Sequence, residues 1–72
     1  MMANREELGL NISDALKARG MTQTELANLS GISTTSISRY LKGGSYPTID
    51  RLVIIAEILG TNIFELLKGR NK

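Results

Sequence analysis

The side chains with chemistry to offer gather in one stretch of this chain. Gln23, Ser33, Thr34, Thr35, Ser38, Arg39 and Lys42 fall between Thr22 and Gly43, with Ser45 just beyond, and residues 26–49 hold no Asp or Glu. Hydroxyls and two cations in an acid-free run, with the Gln23 amide shortly before it, suit a polyanion: cations neutralise phosphates and short polar groups bond to phosphate oxygens or base edges. The residue types that enzymes and metal sites favour are missing. There is no Cys and no His, so thiolate nucleophiles, disulfides, imidazole bases and the commonest metal ligands are absent. Asp14, Glu25, Asp50 and Glu65 are spread over separate segments, mostly at capping positions. The expectation is therefore no enzyme, no cofactor and no metal, and no pocket of ~300 Å³ in so small a chain.

The elements that must position this stretch are helices. With 72 residues, 42% apolar and 22% charged, the chain reads as one folded domain over residues 1–72. Leu8, Ile12, Ala15 and Leu16 share one face of a helix at 5–18, behind an Asn4 cap with Glu7 three residues on. Thr22-Gln23-Thr24-Glu25 is a capping box that opens a second helix at 22–29, closed by Ser30-Gly31. Ser33 caps a third at 33–42, in which Ile37, Tyr40 and Leu41 are the few apolar residues. That helix is short and rich in Ser and Thr, so packing must hold it while its polar face stays free.

A fourth helix at 48–59 carries Ile49, Leu52, Val53, Ile55, Ala56 and Leu59 as a broad apolar stripe. A fifth at 62–68 buries Ile63, Leu66 and Leu67, with Phe64 at its edge, and the basic tail from Lys68 to Lys72 is expected to fray. No strand pattern competes, so the fold class is all-α. The longest apolar run, Leu52 to Ala56, is far short of a membrane span, and the N-terminus lacks an apolar signal core. A cytoplasmic protein with no membrane partner is the expectation. A net charge of +2 is compatible with nucleic acid.

A short capped helix, a tight turn at Ser30-Gly31-Ile32 and a second short helix make helix-turn-helix geometry. The runs Met21-Thr-Gln-Thr-Glu-Leu-Ala, Ser30-Gly-Ile-Ser-Thr-Thr-Ser-Ile-Ser-Arg-Tyr-Leu-Lys-Gly, Pro47-Thr-Ile-Asp-Arg-Leu, Ile55-Ala-Glu-Ile-Leu-Gly and Phe64-Glu-Leu-Leu, taken together and in this order, resemble the Cro/C1-type (XRE) helix-turn-helix family of phage repressors and small bacterial regulators. The resemblance covers about residues 8–67. It implies a five-helix bundle of the lambda-repressor type with a double-stranded DNA operator as partner. It places the third helix in the major groove, with Thr34, Thr35, Ser38 and Arg39 toward base edges. It gives Gln23 a phosphate contact and lays the Gly43–Tyr46 loop along the backbone. Ser33 and Lys42 flank that face.

Some positions depart from the family pattern. Ser13-Asp14 stands where a base is common, and Gly43-Gly44-Ser45-Tyr46 lacks the usual basic residues. One copy should hold DNA modestly, so a homodimer, or a heteromeric complex with a partner repressor, is implied. Leu10, Leu29, Ile54 and Ile58 lie off the core stripes and are candidates for a protein-contact patch. The leading expectation is a sequence-specific transcriptional regulator, a repressor or Cro-like switch protein. The alternative is an antirepressor or modulator of a phage genetic switch that acts on a partner repressor through that patch.

Overall fold

The computed structural model describes residues 2–70; Asn71 and Lys72, part of the tail expected to fray, lie outside the described residues. Five helices follow in order: α1 Arg5–Arg19, α2 Gln23–Ser30, α3 Thr34–Leu41, α4 Ile49–Ile58 and α5 Ile63–Leu66. Every one opens on a side-chain cap. Asn4, Thr22, Ser33, Thr48 and Asn62 each accept from the backbone N–H three residues on. Glu7 and Glu25 return the bond to the backbone N–H of Asn4 and Thr22, at 3.0 and 2.9 Å. The turn between α2 and α3 needs a left-handed residue, and Gly31 supplies it at φ 73°. Ser30 braces the same turn: its Oγ donates to the Ala27 carbonyl and accepts from the Ile32 N–H. Ile32 then drops into the core.

α1 packs on α3 and α5, α2 on α3 and α4, and α4 on α5. Leu8, Ile12, Leu26, Ile37, Leu52, Ile55 and Leu66 fill the centre and are almost wholly buried. Tyr40 is buried beside them. A single antiparallel bridge, Met2 to Lys68, is the one strand-like pairing among the described residues.

Four expectations need correction. The α4 stripe is narrower than its composition suggests: Leu52, Ile55, Ala56 and Leu59 are buried, but Ile49 is 58% exposed and Val53 also faces solvent. No element covers that flank of α4. Phe64 does not pack at the edge of α5 and is 78% exposed. α5 is a single turn, and Leu67 and Lys68 leave it because the Asn11 amide takes the Leu66 and Lys68 carbonyls at 2.8 and 2.9 Å. The tail from Lys68 to Arg70 is not frayed. The Arg70 backbone N–H donates to Glu7, and its guanidinium donates to the Asn11 Oδ1 and, at 2.8 Å, to the Asp14 carboxylate.

Candidate nucleic-acid interface

The third helix is amphipathic in a strict sense. Ile37 and Tyr40 turn inward, and Thr34, Thr35 and Arg39 are exposed on the other side. α2 crosses behind it, and the buried Ala27, one of the small residues on α2, permits the approach. Between the two helices runs an open groove of about 570 Å³. Gln23, Thr34, Thr35, Ser38, Arg39 and Lys42 line it, so six of the eight residues singled out in the sequence come together on one surface. A groove this large corrects the expectation that so small a bundle would offer no cavity of that order.

The other two sit at its margins. Ser33 is exposed but committed as the α3 cap, its Oγ accepting from the Ser36 N–H at 3.1 Å. Ser45 is half-buried in the loop after α3 and does not line the groove. Thr24 and Gly44 line it and were not singled out in the sequence. Gly44 has a local reason: a Cβ there would stand 2.9 Å from the Arg39 Cγ, so its missing side chain gives the Arg39 stem its place. The Gly44 N–H also donates to the Arg39 carbonyl at 2.9 Å, tying the loop to the helix.

Electrostatically the groove is one-sided. Arg39 and Lys42 are its charges, no carboxylate lines it, and among the described residues neither cation pairs with an acid. The helix N-termini of α2 and α3 add backbone N–H groups not used within the helices, which favour anions. Asp14, which the sequence placed awkwardly on α1, is paired with Arg70 at 2.8 Å, an exposed ion pair. Among the described residues no cluster of Asp and Glu could hold a metal ion, and no helix is long and apolar enough to cross a membrane. The loop that follows the groove ends in Tyr46, whose hydroxyl donates to the Ala3 carbonyl at 3.2 Å; burial pushes its pKa above the ordinary tyrosine value.

The four residues proposed as a protein-contact patch are scattered over three helices. Leu10 on α1 is 50% exposed, Leu29 at the end of α2 is 64% exposed, and Ile54 on α4 is partly exposed. Ile58 is half-buried and packs against the core. A different exposed apolar pair, Ile49 and Val53, is present on the uncovered flank of α4, and Val53 also lines a groove of about 240 Å³ with Ala56, Glu57, Thr61, Asn62 and Ile63.

Comparison with known proteins agrees with this geometry. A family model described as "Helix-turn-helix" matches residues 12–66. The chain is 40% identical over 55 residues to the cryptic phage CTXphi transcriptional repressor RstR of Vibrio cholerae, a match that covers 76% of this chain and 49% of the repressor. The chain thus spans about half the length of that curated relative. A solved structure of a hypothetical transcription factor, NHTF, from Neisseria superposes with a TM-score of 0.84 at 25% identity, over 89% of this chain and 74% of that one. The hydroxypropylphosphonic acid epoxidase from S. wedmorenis also superposes, with a TM-score of 0.83 at 23% identity, over 94% of this chain and 36% of the epoxidase. The last is a likeness of fold alone.

Proposed function

This chain belongs to the helix-turn-helix family, of the Cro/C1 type, and on that premise we propose that it is a DNA-binding transcriptional regulator which reads the major groove with α3. The observation that carries the reading is the acid-free groove face on which Thr34, Thr35, Ser38, Arg39 and Lys42 converge. Arg39 has the fork geometry to bond the O6 and N7 of a guanine. Thr34 and Thr35 offer methyls for a thymine and hydroxyls for either hydrogen-bond role. Gln23, at the first turn of α2, stands where a phosphate flanks the groove. Repression of transcription is the mode of action that the phage repressor relative supports.

The reading carries with it a non-enzymatic protein that works in the cytoplasm. It also carries a homodimer. Among the described residues one copy brings two cations, Arg39 and Lys42, to the groove, and the exposed Ile49, Val53 and Phe64 suit burial against a second copy. Two copies would address half-sites about 34 Å apart. A modulator that acts only by binding a partner repressor has less support, because Leu10, Leu29, Ile54 and Ile58 lie on three different helices and Ile58 serves the core.

The test is selection from a randomised duplex pool, followed by titration of the selected site at two salt concentrations. The expected result is an enriched inverted repeat bound with a steep negative salt slope. Failure to enrich any sequence, with the protein folded, overturns the reading.

A further inference from the structure

The recognition helix α3 ends in a way that bears on its own arginine. Lys42 caps it in ordinary right-handed backbone, and Gly43 follows at φ 76°. The chain then doubles back with two hydrogen bonds: the Gly43 N–H donates to the Tyr40 carbonyl at 3.1 Å, and the Gly44 N–H to the Arg39 carbonyl at 2.9 Å. This is the Schellman closure, which brings the second residue past the cap against the third residue before it. A contact between two apolar side chains frequently accompanies that closure. Here the two residues are Arg39 and a glycine.

Gly43 needs glycine for its positive φ, but Gly44 does not, since its φ lies outside the left-handed region. Alanine fits that backbone. What it does not fit is the space, because its methyl group would stand 2.9 Å from the Arg39 Cγ and 3.8 Å from the Cδ. The loop is held from both sides. The Gly44 hydrogen bond ties it to α3, and behind it Gly43 lies against α1, where a Cβ would stand 3.0 Å from the Glu6 Cα. The Arg39 side chain is exposed and has no acid partner among the described residues, so it is the part that gives way.

Resting on the DNA-binding reading above, we infer that Gly44 is a positioning residue for Arg39: its bare backbone is the shelf along which the Arg39 stem lies, and this fixes where the guanidinium meets the base edges. Both residues line the groove. An arginine that reads a guanine bonds O6 and N7 of one base edge at once, and a fork displaced sideways keeps its charge but loses one of the two bonds. Position 44 therefore sets the preference at the base pair that Arg39 reads, and leaves the charge that the groove offers to phosphates unchanged.

The experiment is a double-mutant cycle over Gly44→Ala and Arg39→Ala. The probes are the site that the wild type selects from a randomised duplex pool, its single-base variants and an unrelated duplex. Gly44→Ala should melt close to the wild type and keep its affinity and salt slope on the unrelated duplex, since no charge changes. On the selected site, the wild-type discrimination at the Arg39 base pair, about 5- to 150-fold for a good bidentate pair, should fall toward that of Arg39→Ala while the other positions keep theirs. In the double variant the methyl group meets no stem, so Gly44→Ala should add nothing to Arg39→Ala. Unchanged discrimination in Gly44→Ala overturns the inference. So does a loss spread evenly over all the single-base variants, and so do losses that add in the double variant. An Arg39→Ala protein that keeps every preference overturns it as well. A Gly44→Ala chain that does not fold overturns it too, because the stem is then not the part that gives way. In each of these cases the wild type still selects its site, and the DNA-binding reading stands. A wild type that enriches no duplex overturns both.

Discussion

Gly9 on α1 lies against the carbonyl end of the recognition helix: a Cβ at position 9 would stand 2.7 Å from the carbonyl oxygens of both Tyr40 and Leu41. The first helix thus meets α3 backbone to backbone, and this contact helps set where the reading face stands. Alanine would gain roughly 0.5–1 kcal/mol of helix propensity over glycine. It would also collide with two backbone oxygens that no rotamer change can move. Gly9→Ala should lose about 1–3 kcal/mol of stability, as overpacked sites do, and should weaken DNA binding as α3 shifts. Urea unfolding checks this, and a more stable variant would mean that the α1–α3 gap takes up a methyl group.

Arg39 reaches the groove without an acid partner among the described residues and rests its stem over Gly44. Arg39→Ala should cost about 1–3 kcal/mol on the selected site and relax the preference at one base-pair position. Competition with single-base variants of the site separates the two effects. A uniform loss across all variants would make Arg39 a phosphate contact instead of a reader.

Asn11 ends α5. Its amide donates to the Leu66 and Lys68 carbonyls, and Leu66 is almost fully buried. Asn11→Ala leaves both carbonyls without that donor and should cost about 1–3 kcal/mol. Asn11→Asp should cost more, since it sets acceptor oxygens against carbonyl oxygens. Denaturant midpoints of the two variants test the ordering.

Phe64, Val53 and Ile49 present apolar surface that the single chain leaves uncovered. Phe64→Glu should change monomer stability by no more than about 0.5 kcal/mol, the usual range at an exposed position. It should abolish self-association in sedimentation equilibrium and weaken operator binding. A dimer that survives both Phe64→Glu and Val53→Glu would place the contact between copies elsewhere.

Tyr46 donates its hydroxyl to the Ala3 carbonyl, and desolvation by burial raises its pKa in the folded chain. Folding therefore favours the neutral phenol. That contribution is fully present below the pKa of an unfolded tyrosine and is lost as pH rises through the folded value. Stability measured against alkaline pH should fall in the wild type and fall less in Tyr46→Phe; identical profiles would remove Tyr46 as the cause.

The caps at Asn4, Thr22 and Ser33 were legible in the sequence because capping is settled within four residues, by one side chain and the N–H groups that follow it. The reading face was legible for a related reason. Thr34, Thr35, Ser38 and Arg39 share a helix with Lys42 at its C-cap, and helical spacing puts them on one side. What lies between elements was not legible. Ile49 and Val53 fit the α4 stripe as well as Leu52 does, and only the packing of α2 and α5 decides which side of a broad stripe is covered. Asn11 reads as an ordinary polar residue until α5 brings the Leu66 carbonyl to it across 55 positions, and Arg70 finds Asp14 across 56. Gly9 looks like a weak spot in a helix until the α3 carbonyls arrive beside it. Arg51 meets Tyr40 only because the loop between them folds back. Local backbone chemistry chose the helices and the face; burial and long-range hydrogen bonds, which depend on where each helix stops, chose how that face is held.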